Sequence, residues 1–270
     1  MRLSPSHSSS YPLIVILSAS ILPVWSQSTV RILPLGDSIT GGPESCWQAL
    51  LWRSLQQASI TNTKFVGSRS GQQCDFEYDG ANEGHVMIQA TEIVSEGKLV
   101  PWLESSKPDV VMMHLGTNDV LNNKPTAEIL QAFGTMVDWM RESKKVMRII
   151  VAQIIPLDSV FCEECGERVV RLNEAIPEWA KGMNTTESVI EVVDCWTGFD
   201  TDSMTSDGVH PNNAGNEKVA ECWFKPLSRA IKSAGGGEEV SAAASPGMSA
   251  GSKLGIAAVA VTVLCRWWWW

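Results

Sequence analysis

Three short stretches carry residue types that can break an ester or amide bond. Gly36-Asp37-Ser38-Ile39-Thr40 offers a serine hydroxyl directly after an apolar run. Asp207-Gly208-Val209-His210-Pro211 offers a carboxylate and an imidazole three residues apart across a glycine-containing turn, close enough to stand side by side. A serine is a weak nucleophile until a base takes its proton, and the base needs a third group to fix its tautomer. Ser38, His210 and Asp207 supply those three types. His114-Leu115-Gly116-Thr117-Asn118-Asp119 adds an amide, Asn118, able to donate to a developing oxyanion beside the Ser38 N–H. Each stretch also has a plainer use: Asp37 and Ser38 suit a helix cap, Asn118 and Asp119 suit a turn, and Pro211-Asn212 suits a turn opening a helix. Of the other histidines, His114 follows an apolar run and fits a buried structural role, while His85 in Glu83-Gly84-His85 suits a cleft or a loop equally well.

These stretches need a scaffold that brings them to one place. Residues 30–35, 64–66, 110–115, 148–155 and 189–193 are short β-rich runs. Those at 110, 148 and 189 are nearly continuous in apolar character, as strands buried on both faces of a parallel sheet are. Between them lie amphipathic segments at 47–58, 88–105, 127–144, 168–181 and 214–232. In the third, Ile129, Phe133, Met136, Val137 and Met140 recur at helical spacing. The alternation predicts one α/β domain, a three-layer α/β/α (flavodoxin-like) sandwich around a mostly parallel five-stranded sheet. In such sheets, ligands bind beyond the carboxyl ends of the strands. The three stretches follow a strand or precede the last helix, where that rule puts chemistry.

The chain has 270 residues, 44% of them apolar, and a formal net charge of −9. This excludes a wholly disordered chain and argues against nucleic acid as a partner, since a phosphate-binding surface is normally basic. Residues 1–26 combine Arg2, a Ser-rich lead and an apolar run to Trp25, the pattern of a secretory signal peptide cleaved near Ser26. Residues 27–232 hold the catalytic candidates. Residues 233–253 form a Gly/Ser/Ala-rich linker, and 254–270 an apolar tail shorter than the ~20 residues a membrane span needs. Small residues, a polar spacer and a terminal apolar run match a GPI-attachment signal, so any membrane association is expected through a C-terminal lipid anchor. The closing Trp267 to Trp270 run has no physical account.

Removing residues 1–26 and everything beyond the small residues at 241–245 leaves 18 basic and 30 acidic residues, a net −12. It also removes Cys265, so seven cysteines become six, an even number with fifteen connectivities open. Asn184-Thr185-Thr186 is a glycosylation sequon compatible with the same route. Cys162-Glu163-Glu164-Cys165 has no second thiol pair to complete a metal site, so neither a metal nor a cofactor is expected.

Leu35 to Thr40, Gly116 to Asp119 and Asp207 to Pro211, in this order and context, resemble the SGNH (GDSL-type) hydrolases. Cys46-Trp47, Val66-Gly67-Ser68, Tyr78-Asp79-Gly80 and Asn82-Glu83-Gly84-His85 narrow the resemblance to carbohydrate esterase family 3, which includes acetylxylan esterases. It runs from about residue 31 to 227. The resemblance implies Ser38 as nucleophile, His210 as base, Asp207 as its orienting acid, and oxyanion donors from Ser38 N–H, Asn118 and a third backbone amide. That third donor is usually a glycine two or three residues past Glu-Gly-His; here Val86 and Met87 stand there, making the Met87 N–H the candidate, with a side chain expected to narrow the acyl pocket. Gln48 stands where the resemblance leads one to expect arginine.

The implied activity is hydrolysis of short acyl esters, acetyl foremost, on carbohydrate such as xylan. The alternatives are a lipase or lysophospholipase acting on longer chains, and a catalytically idle glycan-binding surface protein. A secreted or surface-anchored monomer is expected, with disulfides Cys46–Cys74, Cys162–Cys165 and Cys195–Cys222.

Overall fold

The computed structural model describes residues 28–160 and 162–235. The expected signal peptide and apolar tail lie outside the described residues, as does nearly all of the expected linker.

The order of elements is β1 (Val30–Gly36), α1 (Ser38–Gly41), α2 (Trp47–Gln57), β2 (Thr63–Phe65), β3 (Glu83–Gly84), α3 (Ala90–Ser95), α4 (Leu99–Ser106), β4 (Val110–His114), α5 (Thr117–Leu121), α6 (Thr126–Ser143), β5 (Arg148–Gln153), α7 (Cys165–Met183), β6 (Ile190–Asp194), α8 (Thr201–Met204) and α9 (Asn213–Ala234). The strands lie in the order β2-β1-β4-β5-β6, all parallel, and β3 also pairs with β1 in parallel register. The α/β layering is as predicted. The sheet has six strands instead of five, because β3 is two residues long and too short to show a period.

The side-chain alternation of β1, β4 and β5 divides the core in two. Val30, Ile32, Val110, Met112, Ile150 and Ala152 face one side, where they pack with Trp47, Leu51 and Leu55 of α2 and Trp223, Leu227 and Ile231 of α9. Leu33, Leu35, Val111, Met113, Ile149 and Val151 face the other, against α3, α4, α6 and α7. Successive strand residues point to opposite faces, so strands covered on both faces must be apolar through the covered stretch, as β1, β4 and β5 are apart from Arg31, His114, Arg148 and Gln153. Two helices cover one face and four the other, which completes the three layers.

The predicted helix over 88–105 is two helices. Gly97, at φ +64°, turns the chain between α3 and α4, a conformation glycine adopts without a Cβ clash. The strands predicted to Leu115 and Ile155 end at His114 and Gln153. Three disulfides link Cys46 to Cys74, Cys162 to Cys165 and Cys195 to Cys222, the pairing expected from the sequence. The first fastens the 67–81 loop to the start of α2, and the last ties the end of β6 to α9. Among the described residues, no helix is long and apolar enough to cross a membrane.

Candidate active site

The end of β1 delivers Ser38. Asp37 caps the four-residue α1, its Oδ1 accepting from the Ile39 N–H at 2.9 Å. The cap falls to Asp37, which leaves the Ser38 side chain uncommitted to capping. Ser38 is the first residue of α1, where a backbone N–H has no intrahelical acceptor, and the residue is 8% exposed. The turn is held from below by a close backbone contact. A Cβ on Gly84 of β3 would lie 2.4 Å from the Gly41 nitrogen, so only glycine lets β3 pack this near α1.

Asp207 and His210 arrive on the loop before α9. Gly208, at φ +88°, lets this loop fold back on itself. The Ser206 N–H donates to His210 O, and the Gly208 N–H to Thr205 Oγ1. His210 Nδ1 lies 2.7 Å from Asp207 Oδ2, and His210 Nε2 lies 2.9 Å from Ser38 Oγ across 172 residues of chain. Asp207 Oδ1 also accepts from the Val209 and His210 N–H groups. Partial burial pushes the Asp207 carboxyl up, but the His210 amide and imidazole, the Val209 amide and the His210 charge outweigh it and hold it below the usual carboxylate value. An ionised Asp207 favours the tautomer with the proton on Nδ1, leaving Nε2 to accept from Ser38.

Asn118 follows β4 at the start of α5 and is 3% exposed. One of its Nδ2 hydrogens goes to the Ile88 carbonyl at 3.0 Å, which orients the amide and leaves its second hydrogen available. Met87, next to Ile88, has φ +66°. This is the left-handed region in which an L side chain costs roughly 1–2 kcal/mol, so the chain keeps there a backbone shape suited to glycine. The Met87 side chain is 64% exposed. It does not narrow the cavity at Ser38 and His210, because it lines a neighbouring cleft with His85, Val86, Ile88, Glu92, Lys98 and Trp102.

The cavity at the serine has a volume of about 380 Å³ and is lined by Ser38, Ile39, Pro43, Glu44, Ser45, Ser206, Asp207, His210 and Pro211. Ser206 donates to Glu44 across its mouth. Beneath it, burial pushes the Asp37 carboxyl up to about 6, against the lowering influence of the Ile39 amide, the Thr117 hydroxyl and His210. Asp37 Oδ2 and Thr117 Oγ1 are buried without a hydrogen bond of acceptable geometry.

His114 is 1% exposed, and burial holds its imidazole down at about 4, so it is neutral; its Nε2 lies 3.4 Å from the Ile155 N–H. It is buried, as its sequence context suggested, and its Nδ1 has no hydrogen-bond partner among the described residues. His85 lines the neighbouring cleft, where it stacks on Trp102 with ring centroids 4.5 Å apart and bonds Glu83 at 2.7 Å. Gln48 donates to the Asp79 and Ala81 carbonyls, bracing the loop that ends at β3. Asn184 is exposed at the C-cap of α7, its Oδ1 accepting from the Ile190 N–H. Glu44, Glu83 and Asp119 were not singled out from sequence. Glu44 meets Ser206, and Asp119 meets Ala90 and Thr91, from distant segments, and only the flanking motifs hinted at them.

The sequence profile of the GDSL-like lipase/acylhydrolase family matches residues 35–218, and the chain belongs to that family. It is a carboxylic ester hydrolase. Among solved structures it is similar to a carbohydrate esterase family 3 protein from Talaromyces cellulolyticus, at 32% identity and a TM-score of 0.69, covering 76% of this chain and 99% of that one. An acetyl esterase mutant solved with acetate ion gives the same identity, score and coverage. A family 3 carbohydrate esterase from Clostridium thermocellum is 26% identical with a TM-score of 0.66, covering 77% of this chain and all of that one. A multidomain esterase of Ruminococcus flavefaciens is 26% identical over 233 residues. That match covers 78% of this chain and 30% of the relative's length.

Proposed function

We propose that this chain is an exported esterase that removes short acyl groups, acetyl foremost, from carbohydrate such as xylan. The observation that carries the reading is the line of hydrogen bonds from Ser38 to His210 to Asp207, at 2.9 and 2.7 Å, opening on a small cavity. Ser38 Oγ attacks the acyl carbonyl while His210 Nε2 takes its proton. The tetrahedral oxyanion accepts from the Ser38 N–H, Asn118 Nδ2 and the Met87 N–H. His210 then returns the proton to the leaving sugar oxygen, and a water activated by His210 releases the acid from Ser38.

A cavity of about 380 Å³ is near the small end of ligand pockets, which favours a short acyl group over a long one. The names of the similar structures, acetyl esterase and carbohydrate esterase, support acetyl and carbohydrate as substrate classes. Three disulfides support export through an oxidising compartment, with residues 1–26 as the leader, Asn184 as a glycan acceptor and the C-terminal tail as a lipid-anchor signal. The protein acts as a monomer in this reading.

The test is acid release from acetylated xylan, acetylated chitin and p-nitrophenyl esters of increasing chain length, with Ser38→Ala alongside. Acetate release from a saccharide that Ser38→Ala abolishes supports the proposal. A rate maximum at eight or more carbons replaces it with a lipase, and saccharide binding with no Ser38-dependent hydrolysis replaces it with a binding protein.

A further inference from the structure

The loop between β3 and α3 carries Met87 and Ile88, and it is pinned at several points. At its start, the His85 N–H donates to Gly36 O in β1. Within it, the Ile88 N–H closes a turn on His85 O. From the far side, Asn118 Nδ2 holds the Ile88 carbonyl. Asp119, the next residue along, is fully buried and spends its whole carboxylate on the same segment. Its Oδ2 accepts from the Ala90 N–H at 2.8 Å, and its Oδ1 from the Thr91 N–H at 3.1 Å and the Thr91 hydroxyl at 2.8 Å. Met87 sits between these anchors at φ +66°. A side-chain residue stays in that region only when its surroundings over-determine it.

We propose that Asp119 is a positioning residue for ester hydrolysis: through Ala90 and Thr91 it fixes the segment that presents the Met87 N–H and orients Asn118. The inference rests on the reading of Met87 and Asn118 as oxyanion donors. Hydrogen bonds to an ionised acceptor are about twice as strong as neutral ones, and here three donors of one short segment converge on one carboxylate. The same α5 turn thus carries a donor, Asn118, and the restraint on its companion, Asp119. Relaxing the restraint lets Met87 leave the left-handed region and carries the Ile88 carbonyl away from Asn118, so both donors lose their aim together.

The test is Asp119→Asn, which keeps one acceptor oxygen for Thr91 and turns an NH₂ against the Ala90 N–H. With p-nitrophenyl acetate, kcat is expected to fall ~10- to 100-fold, somewhat less than the loss of a whole oxyanion donor, with KM within about threefold. Amide exchange at Met87 and Ile88 is expected to quicken at least ~10-fold, an opening that exchange reads whether or not the substrate is right. Met87→Gly supplies the cycle. Glycine needs no restraint at φ +66°, so Asp119→Asn costs several-fold less kcat in the Met87→Gly background.

Two results overturn the inference: unchanged exchange at Met87 and Ile88, or additivity of the two substitutions in kcat. Ser38→Ala with wild-type esterase activity overturns the underlying catalytic reading instead, while the exchange result still decides whether Asp119 holds the loop.

Discussion

Gly84→Ala tests how the serine is held. An alanine Cβ there would lie 2.4 Å from the Gly41 nitrogen, 2.7 Å from the Gly41 Cα and 2.9 Å from the Thr40 carbonyl carbon. All three are backbone atoms, so no side chain can rotate away. Non-bonded carbon contacts relax at about 3.5–4.0 Å, so the two backbones must part by roughly 1 Å. Either β3 loses its pairing of Glu83 and Gly84 with Leu35 and Gly36, or α1 and Ser38 move. Overpacking of this kind costs about 1–3 kcal/mol. At roughly 2–4 °C per kcal/mol for a domain of this size, the melting temperature should drop by about 2–12 °C. A displacement near 1 Å at a reacting group costs on the order of 100-fold in rate, so kcat should fall by about that factor if α1 yields. Thermal unfolding by circular dichroism and p-nitrophenyl acetate hydrolysis read the two quantities. Gly182→Ala is the control, since a Cβ there meets nothing within 4 Å, and it should be neutral or slightly stabilising. Wild-type melting and wild-type kcat in Gly84→Ala would refute the reasoning.

Asp37→Asn should stabilise the protein at neutral pH. The folded-state value of about 6 lies above the ordinary 3.8, so Asp37 binds its proton more readily in the folded protein, and its contribution to stability falls as pH rises from about 4 through 6. Removing that ionisation should gain on the order of 1–3 kcal/mol at pH 8 and nothing below pH ~4; urea unfolding at both pH values checks it, and a pH-independent difference would contradict it. Asn118→Ala should lower kcat by ~10²–10³-fold and destabilise the fold by about 1–3 kcal/mol through the stranded Ile88 carbonyl, both measurable on the purified variant. Replacing Cys195 and Cys222 by serine should cost roughly 3–4 kcal/mol by the chain-entropy estimate for a separation of 27 residues. Denaturant unfolding tests this, and an equally stable variant would show that the bridge constrains nothing.

Five parallel strands and both covering layers were legible because long apolar periods announce themselves. The 88–105 segment misled for the same reason. Its apolar spacing continues across Gly97, and a glycine with φ +64° is not distinguishable in sequence from one tolerated within a helix. β3 was invisible because two residues have no period; its existence depends on Gly84 meeting Gly41, a contact between segments 43 residues apart. Met87 shows a different limit. The sequence suggested that its bulk would crowd the acyl site, whereas Met87 lines the neighbouring cleft and the cavity at Ser38 is lined by other residues.

The sequence by itself determined the candidate groups: a serine after a strand, an Asp and a His three residues apart, an Asn after another strand, and six cysteines once the ends are set aside. These follow from residue type and local spacing, which the chain carries before it folds. Only the tertiary structure decided that Ser38 and His210, 172 residues apart, stand 2.9 Å from each other, and that Asp37 beneath them titrates near 6. It alone decided that Asp119 is spent on Ala90 and Thr91. Burial and hydrogen-bond partnership belong to pairs of distant segments, and no single stretch of chain encodes them.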